Sequence, residues 1–306
     1  LITGGVGQIY LSSKQTFRHS AAQAEIQENG RFAMGYLRQN IRNADFWGCG
    51  GTLSSINNHI DSAHADFDSD MHGFARGVEG IDGGGTVSDS LWLRRATGIG
   101  VQVNAQSVGR FLDLPATSGF SNGDIGFVSD CANADLFYIW RVRSRDSGAT
   151  TRLNHRASRG APGNAAANPN LANYSTDAKV YNTDVLFLSI GNDPMTGESA
   201  LLRAIDGSAN EVYVGNVENM QLQYGIDQDA DGVAERYATA TAVNATGQWD
   251  EVISIRVALL VASTQEVRDS LDTNTYQLLD VTIDPVDDRR LRQVYTSTIM
   301  IRNRLS

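Results

Sequence analysis

The fold of this chain is decided by residues 26–44, which read IQENGRFAMGYLRQNIRNA. Apolar and small residues recur here at spacings of three and four positions, so that they form one stripe along a helix. The stripe consists of Ile26, Gly30, Ala33, Leu37, Ile41 and Ala44. No proline interrupts residues 1–46, and the glycines beside Cys49 are typical of a helix end. The sequence therefore predicts one helix of about 40 residues, roughly 60 Å long, with one end projecting from the rest of the molecule.

After Gly51 the pattern changes to strands. Residues 252–262 alternate between apolar side chains and the opposite face, and residues 220–224 do the same. The other predicted strands are Ser90–Arg95, Asp124–Ser129, Leu136–Val142, Val185–Ile190, Glu211–Val214 and Val294–Ile301. Residues 57–85 and 144–173 are predicted to be loops. One helix followed by many short strands predicts an α+β fold, with the helix over residues 1–46 and a β-rich head over residues 47–306.

The composition is that of a folded globular protein, because 41% of the 306 residues are apolar and 20% are charged. The net charge is −10. A nucleic-acid-binding protein needs a basic surface that neutralises phosphates, and a polybasic module on a membrane surface needs the same sign of charge. The composition therefore argues against both classes of protein.

The chain contains two cysteines, Cys49 and Cys131. They form no Cys-x-x-Cys motif, and no histidine lies at metal-ligand spacing from either. Two such cysteines are expected to be free thiols in the cytosol and to pair in an exported protein. A bridge would close a loop of about 80 residues and would stabilise the fold by about 4–5 kcal/mol. The residues alone leave both states open.

Several blocks of sequence, in order along the chain, resemble the PilW-type minor pilins of type IV pili. The helix blocks are Ser12–Arg18, Ile26–Ala33 and Leu37–Ala44. The head blocks are Ser129–Cys131, Asp135–Phe137, Ser199–Arg203, Val217–Met220, Tyr224–Asp227, Trp249 with the strand after it, and Ile301–Arg304. The resemblance spans nearly the whole chain, which makes it more specific than any single motif.

The resemblance implies a pilin-like fold, in which the C-terminal half of a long helix packs on a large antiparallel sheet, with more than one sheet in the head. It implies a non-enzymatic subunit that is anchored in the inner membrane, with a periplasmic head, until it assembles at the tip of an extracellular pilus. The implied partners are other minor pilins, the major pilin and a tip adhesin, with no nucleic acid and no small-molecule substrate. It also implies that Cys49 and Cys131 form a disulfide of the head.

Members of this family begin with a membrane-spanning apolar segment of about 20 residues that contains a glutamate used in assembly. This chain departs from that pattern, and we interpret Leu1–Leu11 as the end of such a segment. The membrane anchor and the glutamate are therefore expectations. In a pilin the N-terminal half of the helix meets neighbouring subunits. The expected interaction residues of this segment are Val6, Ile9, Tyr10 and Phe17.

The strongest chemical signal is the segment from Asp227 to Glu235, which reads DQDADGVAE. Carboxylates at loop positions 1, 3 and 5 converge on a hard cation, and glycine at position 6 allows the sharp turn. The candidate Ca²⁺ ligands are Asp227, Asp229, Asp231, the carbonyl of Val233, and Glu235. An EF-hand needs a glutamate at position 12 and helical flanks, whereas Ala238 stands there and residues 220–224 and 237–243 are predicted strands. The segment therefore fits either a calcium loop at a hairpin tip or a solvated turn.

Two other patterns are interpreted as loops. Aspartates between His64 and His72 are typical of a solvated acidic loop more than of a zinc site. Residues 119–123 match the Gly-x-Ser-x-Gly pattern of hydrolases but lack the strand before and the helix after that the nucleophile elbow needs. The alternatives to a minor pilin are a pseudopilin at the tip of a type II secretion system, a surface-binding module that uses the loops 57–85 and 144–173, and formally a hydrolase.

Overall fold

Helix α1 runs from Ile2 to Asn43 in the computed structural model. The structure describes residues 2–49, 56–104, 109–116, 119–167 and 170–305, and the side chains of residues 2–9 lie outside this description. Two short helices follow, α2 (Ser69–His72) and α3 (Ala240–Thr246). One long helix followed mainly by strands confirms the predicted α+β class.

The strands of the described part form several sheets. In chain order they are β1 (Asn57–Asn58), β2 (Val78–Ile81), β3 (Ser90–Gln102), β4 (Phe111–Pro115), β5 (Ile125–Ser129), β6 (Ala134–Tyr138), β7 (Arg141–Arg145), β8 (Thr150–Asn154), β9 (Lys179–Asn192), β10 (Ser199–Ile205), β11 (Glu211–Gly215), β12 (Val217–Ile226), β13 (Arg236–Ala238), β14 (Val252–Glu266), β15 (Tyr276–Leu278), β16 (Val281–Ile283) and β17 (Arg290–Met300).

The largest sheet has the order β1-β6-β5-β9-β10-β11, with β3 also paired to β9 and β2 to β3. A second sheet has the order β13-β12-β14-β17, a third the order β4-β8-β7, and β15 and β16 form a hairpin. All strand pairs are antiparallel except the short pair β1 and β6. The predicted antiparallel head with more than one sheet is therefore confirmed.

The apolar stripe of α1 lies in the main hydrophobic core. Five of its side chains are buried there with residues of β12, β14 and β17; they are Ile26, Ala33, Leu37, Ile41 and Ala44. Gly30, the sixth stripe position, is buried where the ring of Tyr295 on β17 lies against the helix. The Tyr295 hydroxyl donates a hydrogen bond to the carbonyl of Ile26 over 3.1 Å. The predicted stripe is therefore the face that packs on the second sheet.

Gly30 should tolerate no side chain, because a Cβ there would lie 2.4 Å from the Tyr295 ring. We expect Gly30→Ala to lower the free energy of unfolding by about 1–3 kcal/mol through overpacking. Gly35 of the same helix is the matched control, since a Cβ there meets nothing within 4 Å. Gly35→Ala should raise the free energy of unfolding by about 0.5–1 kcal/mol. Chemical denaturation of both variants measures the difference, and equal effects of the two substitutions would contradict this packing.

Two segments that the sequence predicts as loops contain regular structure. Residues 57–85 contain β1, α2 and β2, and α2 begins where the Asp68 side chain accepts hydrogen bonds from the N–H groups of Asp70 and Met71. Residues 144–173 contain β8, whose Thr151 and Leu153 side chains are buried. Both predictions were too coarse, because two to five residues of pairing leave almost no periodicity in a sequence.

Two strand boundaries were also wrong. The predicted strand Leu136–Val142 is divided at Ile139–Trp140 into β6 and β7, which belong to different sheets. The predicted strand over residues 237–243 ends at Ala238, and α3 follows. The helix begins there because the Thr239 side chain accepts a hydrogen bond from the N–H of Ala242.

Candidate functional site

The first candidate site is the outer half of α1. Residues 10–21 are all exposed, and the first buried helix residue is Ala22. Tyr10 is 66% exposed and Phe17 is 74% exposed. The side chains of Val6 and Ile9, which belong to the same predicted surface, lie outside the described residues. Among the described residues, no helix combines the length and the apolar character needed to cross a membrane.

Helix α1 is fixed to the head by polar contacts as well as by the core, and one of these contacts lies within the exposed residues 10–21. Arg18 donates to the carbonyl of Glu266 over 3.1 Å, and Arg38 donates to the hydroxyl of Ser297 over 3.2 Å. At the helix end the Asn303 side chain donates to the carbonyl of Ala44 over 2.8 Å. Helix α1 is therefore divided into a half that packs on the second sheet and a half with exposed apolar side chains.

A disulfide joins Cys49, just after α1, to Cys131 in the turn between β5 and β6. The two Cα atoms are 4.8 Å apart. The turn is held by the Ser129 hydroxyl, which accepts a hydrogen bond from the N–H of Cys131 over 3.2 Å. The bridge therefore links the exit of the helix to the largest sheet, whereas the stripe of α1 packs mainly on the second sheet.

The acidic segment forms the turn between β12 and β13, so the predicted hairpin tip is present. One carboxylate oxygen from each of Asp227, Asp229, Asp231 and Glu235 lies within 4.8 Å of the others. Asp227 is buried, while the other three residues are exposed. Ala230 and Gly232 have φ values of 60° and 85°, so the backbone turns tightly and brings the carboxylates together.

The spacing of these oxygens matches the size of a calcium coordination sphere. Ca²⁺–O distances are about 2.3–2.6 Å, so ligands on opposite sides of the ion lie about 5 Å apart. None of the four carboxylates has an ion pair with an arginine or lysine in the described part of the chain. Backbone N–H groups donate hydrogen bonds to two of these carboxylates. The N–H of Gly232 donates to Asp227 and the N–H of Val233 donates to Asp231, both over 2.8 Å. The role of the Val233 carbonyl stays a prediction.

The other acidic and hydrolase-like patterns lie in turns. His64 and Asp66 approach to 3.6 Å as an exposed pair, and Asp68 is the cap of α2. The residues 119–123 form a turn before β5, where the carboxylate of Asp124 accepts a hydrogen bond from the N–H of Ser121 over 2.7 Å. A strand and not a helix follows this serine, as the loop interpretation expects.

Sequence reasoning did not find a buried polar network beneath β1 and β6. Asp135 accepts hydrogen bonds from the Tyr174 hydroxyl and from the N–H of Ala172, over 2.7 and 2.8 Å. Its other oxygen lies 2.7 Å from Nε2 of His59. Burial alone would raise the pKa of Asp135, but the hydrogen bonds from His59, Tyr174 and Ala172 outweigh it and lower the pKa. No local sequence signal links His59 to Asp135, because the two residues are 76 positions apart.

The part of the chain that matches a known protein family contains the second sheet. Residues 190–303 match the family model PilW, described as Type IV Pilus-assembly protein W. No curated protein matches the chain. Among solved structures, a type IV-like pilin, TTHA1219 from Thermus thermophilus, is similar at 9% identity and a TM-score of 0.35, covering 93% of this chain and 97% of that one.

The matched residues 190–303 include β10 to β17, and therefore both the sheet on which α1 packs and the acidic turn. Helix α1, the disulfide and the sheet β4-β8-β7 lie outside the matched range. The resemblance of this chain to PilW, the type IV pilus-assembly protein W family, is confirmed over residues 190–303.

Proposed function

We propose that this chain is a minor pilin, a non-enzymatic subunit that primes type IV pilus assembly and connects the fibre to other minor pilins, the major pilin and a tip adhesin. The observation that carries the proposal is the division of α1. Its inner half is part of the head core, while residues 10–21 present exposed side chains, among them Tyr10, Leu11 and Phe17. The family match over the sheet beneath the helix supports the same assignment.

An exposed apolar helix surface is favoured in a protein that buries it against other subunits, because large exposed apolar patches mark interaction sites. A filament of parallel helices provides such a partner surface. Before assembly, the same segment would continue into the inner membrane through the expected apolar segment. The head would then lie in the periplasm and, after assembly, at the extracellular tip of the pilus.

The double variant Tyr10→Asp/Phe17→Asp tests this role. We expect it to keep a folded head, because both side chains are exposed and outside the core. Its recovery with the other minor pilins in sheared pili should fall at least tenfold, since two carboxylates would be buried in an apolar interface. Immunoblotting of sheared pili and of whole cells measures the recovered fraction.

Met195→Asp is the matched control, because Met195 is 93% exposed and lies in the head between β9 and β10. This control should be recovered like the unmodified protein. Normal recovery of the Tyr10→Asp/Phe17→Asp variant would refute the proposed surface. Loss of exoprotein export without loss of pili in a deletion strain would instead assign the chain to a secretion pseudopilin.

We also propose that the turn from Asp227 to Glu235 binds Ca²⁺, because its four carboxylates converge and, in the described part of the chain, none has an ion pair with an arginine or lysine. At a concentration 100 times the Kd, Ca²⁺ should raise the free energy of unfolding by about 2.7 kcal/mol. Asp229→Asn/Asp231→Asn should abolish this gain, and the thermal unfolding midpoint with Ca²⁺ or chelator measures it. Asp66→Asn/Asp70→Asn, the same charge change on an exposed acidic segment, should keep the gain. Equal midpoints with Ca²⁺ and chelator in the unmodified protein would exclude the site.

A further inference from the structure

The sheet β4-β8-β7 presents an outer face that is rich in arginine. Residues 140–173 contain six arginines and one acidic residue, Asp146, in a chain whose net charge is −10. Arg141, Arg143 and Arg145 lie at alternate positions of β7, so they share one face of the sheet, and all three are exposed. Residues 140–173 therefore carry a local excess of positive charge, and four of the six arginines lie on this sheet.

The strand register shows what else lies on this face. Arg141 is opposite Asn154, Arg143 is opposite Arg152, and Arg145 is opposite Thr150. On the third strand, Asp113 is opposite Arg152. Arg152 uses two nitrogens to bind the Asp113 carboxylate, each over 2.6 Å. Among these cross-strand partners Asp113 is the only carboxylate, and Arg152 neutralises its charge. Within the described residues, Arg141, Arg143 and Arg145 form no ion pair.

The opposite face of the sheet explains why the arginines point outward. Leu112, Leu114 and Leu153 are fully buried, and they pack with Val180 of β9 in their own hydrophobic cluster. Leu186 and Leu188, farther along β9, belong instead to the cluster that contains α1. The sheet that carries the arginine face therefore packs on a hydrophobic cluster other than the one that contains the apolar stripe of α1.

The exposed guanidinium groups of this face indicate which kind of ligand it would bind. Guanidinium groups bind carboxylates in a bidentate manner, and those two positions apart on a strand are spaced by about 7 Å, which suits a polymer with repeated charges. The residues that lie opposite one another on this face of β4, β8 and β7 are polar except for Phe111 and Pro115. The face therefore lacks the apolar centre of a stable protein interface. The three strands are about 10 Å wide, which suits a single thin chain. A nucleic-acid duplex, with one charge per about 1.7 Å, would also meet the acidic remainder of the molecule.

We propose that the outer face of β4-β8-β7, through Arg141, Arg143 and Arg145, binds an anionic polysaccharide that carries uronate carboxylates. This surface is separate from the helix surface that the pilin role requires. Its binding therefore does not depend on incorporation into a filament.

The test uses the 306-residue chain and immobilised polygalacturonate, with neutral dextran as the reference polymer. The unmodified protein should bind polygalacturonate and not dextran, and its affinity should fall as the salt concentration rises. Arg141→Gln/Arg143→Gln/Arg145→Gln should bind at least tenfold more weakly, because it removes three charge contacts. Arg141→Lys/Arg143→Lys/Arg145→Lys should lose less affinity than the glutamine variant, since it keeps the charge but not the bidentate geometry.

Arg31→Gln/Arg38→Gln/Arg42→Gln is the matched control, because these three exposed arginines of α1 give the same change in net charge. It should bind polygalacturonate like the unmodified protein. Equal weakening of both glutamine variants would show a non-specific charge effect and would overturn the proposal. Absence of binding to polygalacturonate, or tighter binding to duplex DNA at the same salt concentration, would overturn it as well.

Discussion

Replacing both cysteines, as Cys49→Ala/Cys131→Ala, is expected to lower the free energy of unfolding by about 4–5 kcal/mol. The bridge closes a loop with a sequence separation of 82 residues, so its loss restores a large conformational entropy to the unfolded chain. The folded protein would also lose the covalent link between the exit of α1 and the β5–β6 turn. Guanidinium denaturation under oxidising conditions measures it.

The unmodified protein unfolded in the presence of a reductant is the control, since it removes the bond without changing the sequence. Its free energy of unfolding should fall to within about 1 kcal/mol of that of the double variant. A double variant that unfolds at the same denaturant concentration as the oxidised protein would show that the bridge contributes little. That outcome would assign the stability of the helix exit to its non-covalent contacts, among them those of the buried Ala44 and Trp47.

Asp135→Ala is expected to lower the free energy of unfolding by about 3–5 kcal/mol. Asp135 is 1% exposed and accepts hydrogen bonds from Tyr174 and Ala172, while His59 lies on its other oxygen. Removing the carboxylate takes away an acceptor that these buried donors share, and weakening the hydrogen bonds of buried donors costs free energy. Because the fold lowers the pKa of Asp135 from its usual 3.8, this contribution is present above that pH and is lost as the pH falls through the folded-state value.

The matched control is Asp66→Ala, which removes the carboxylate from the exposed pair of Asp66 with His64. An exposed pair contributes only about 0–1 kcal/mol. Denaturant titrations at pH 7 and at pH 3.5 measure both variants. The difference between Asp135→Ala and the unmodified protein should shrink at the lower pH. A loss for Asp135→Ala no greater than that for Asp66→Ala would contradict the buried network.

The long helix and the main strands could be predicted because their patterns repeat. The stripe from Ile26 to Ala44 covers five turns, and apolar residues recur at every second position from Ile253 to Val261 of β14. Each pattern therefore repeats several times along its element. The acidic turn was equally visible, because all its carboxylates lie within nine consecutive residues. In each of these features, the residues that determine the structure lie close to one another in the sequence.

The features that sequence reasoning missed depend on distant partners. Strand β8 exists because Leu153 meets Leu112 and Val142 in a three-stranded sheet, and neither neighbour is recognisable from the residues around Leu153. The arginine face is likewise not predicted, because the sequence predicts a loop over residues 144–173 and the alternation in β7 spans only five residues. The His59–Asp135 contact requires β1 to lie beside β6, which no local rule predicts.

The contacts between the end of α1 and residues 301–304 have a consequence for the order of folding. Asn303 binds the carbonyl of Ala44 across 259 positions of sequence, and Arg304 binds the Asp45 carboxylate over 2.5 Å. Strand β17 (Arg290–Met300), against which Gly30 packs, is also far from the helix in sequence. A chain still being synthesised would hold the apolar stripe of α1 without this partner strand until residues 290–300 had emerged. The head is therefore expected to fold late and slowly, and a chaperone that covers the stripe would protect it from aggregation meanwhile.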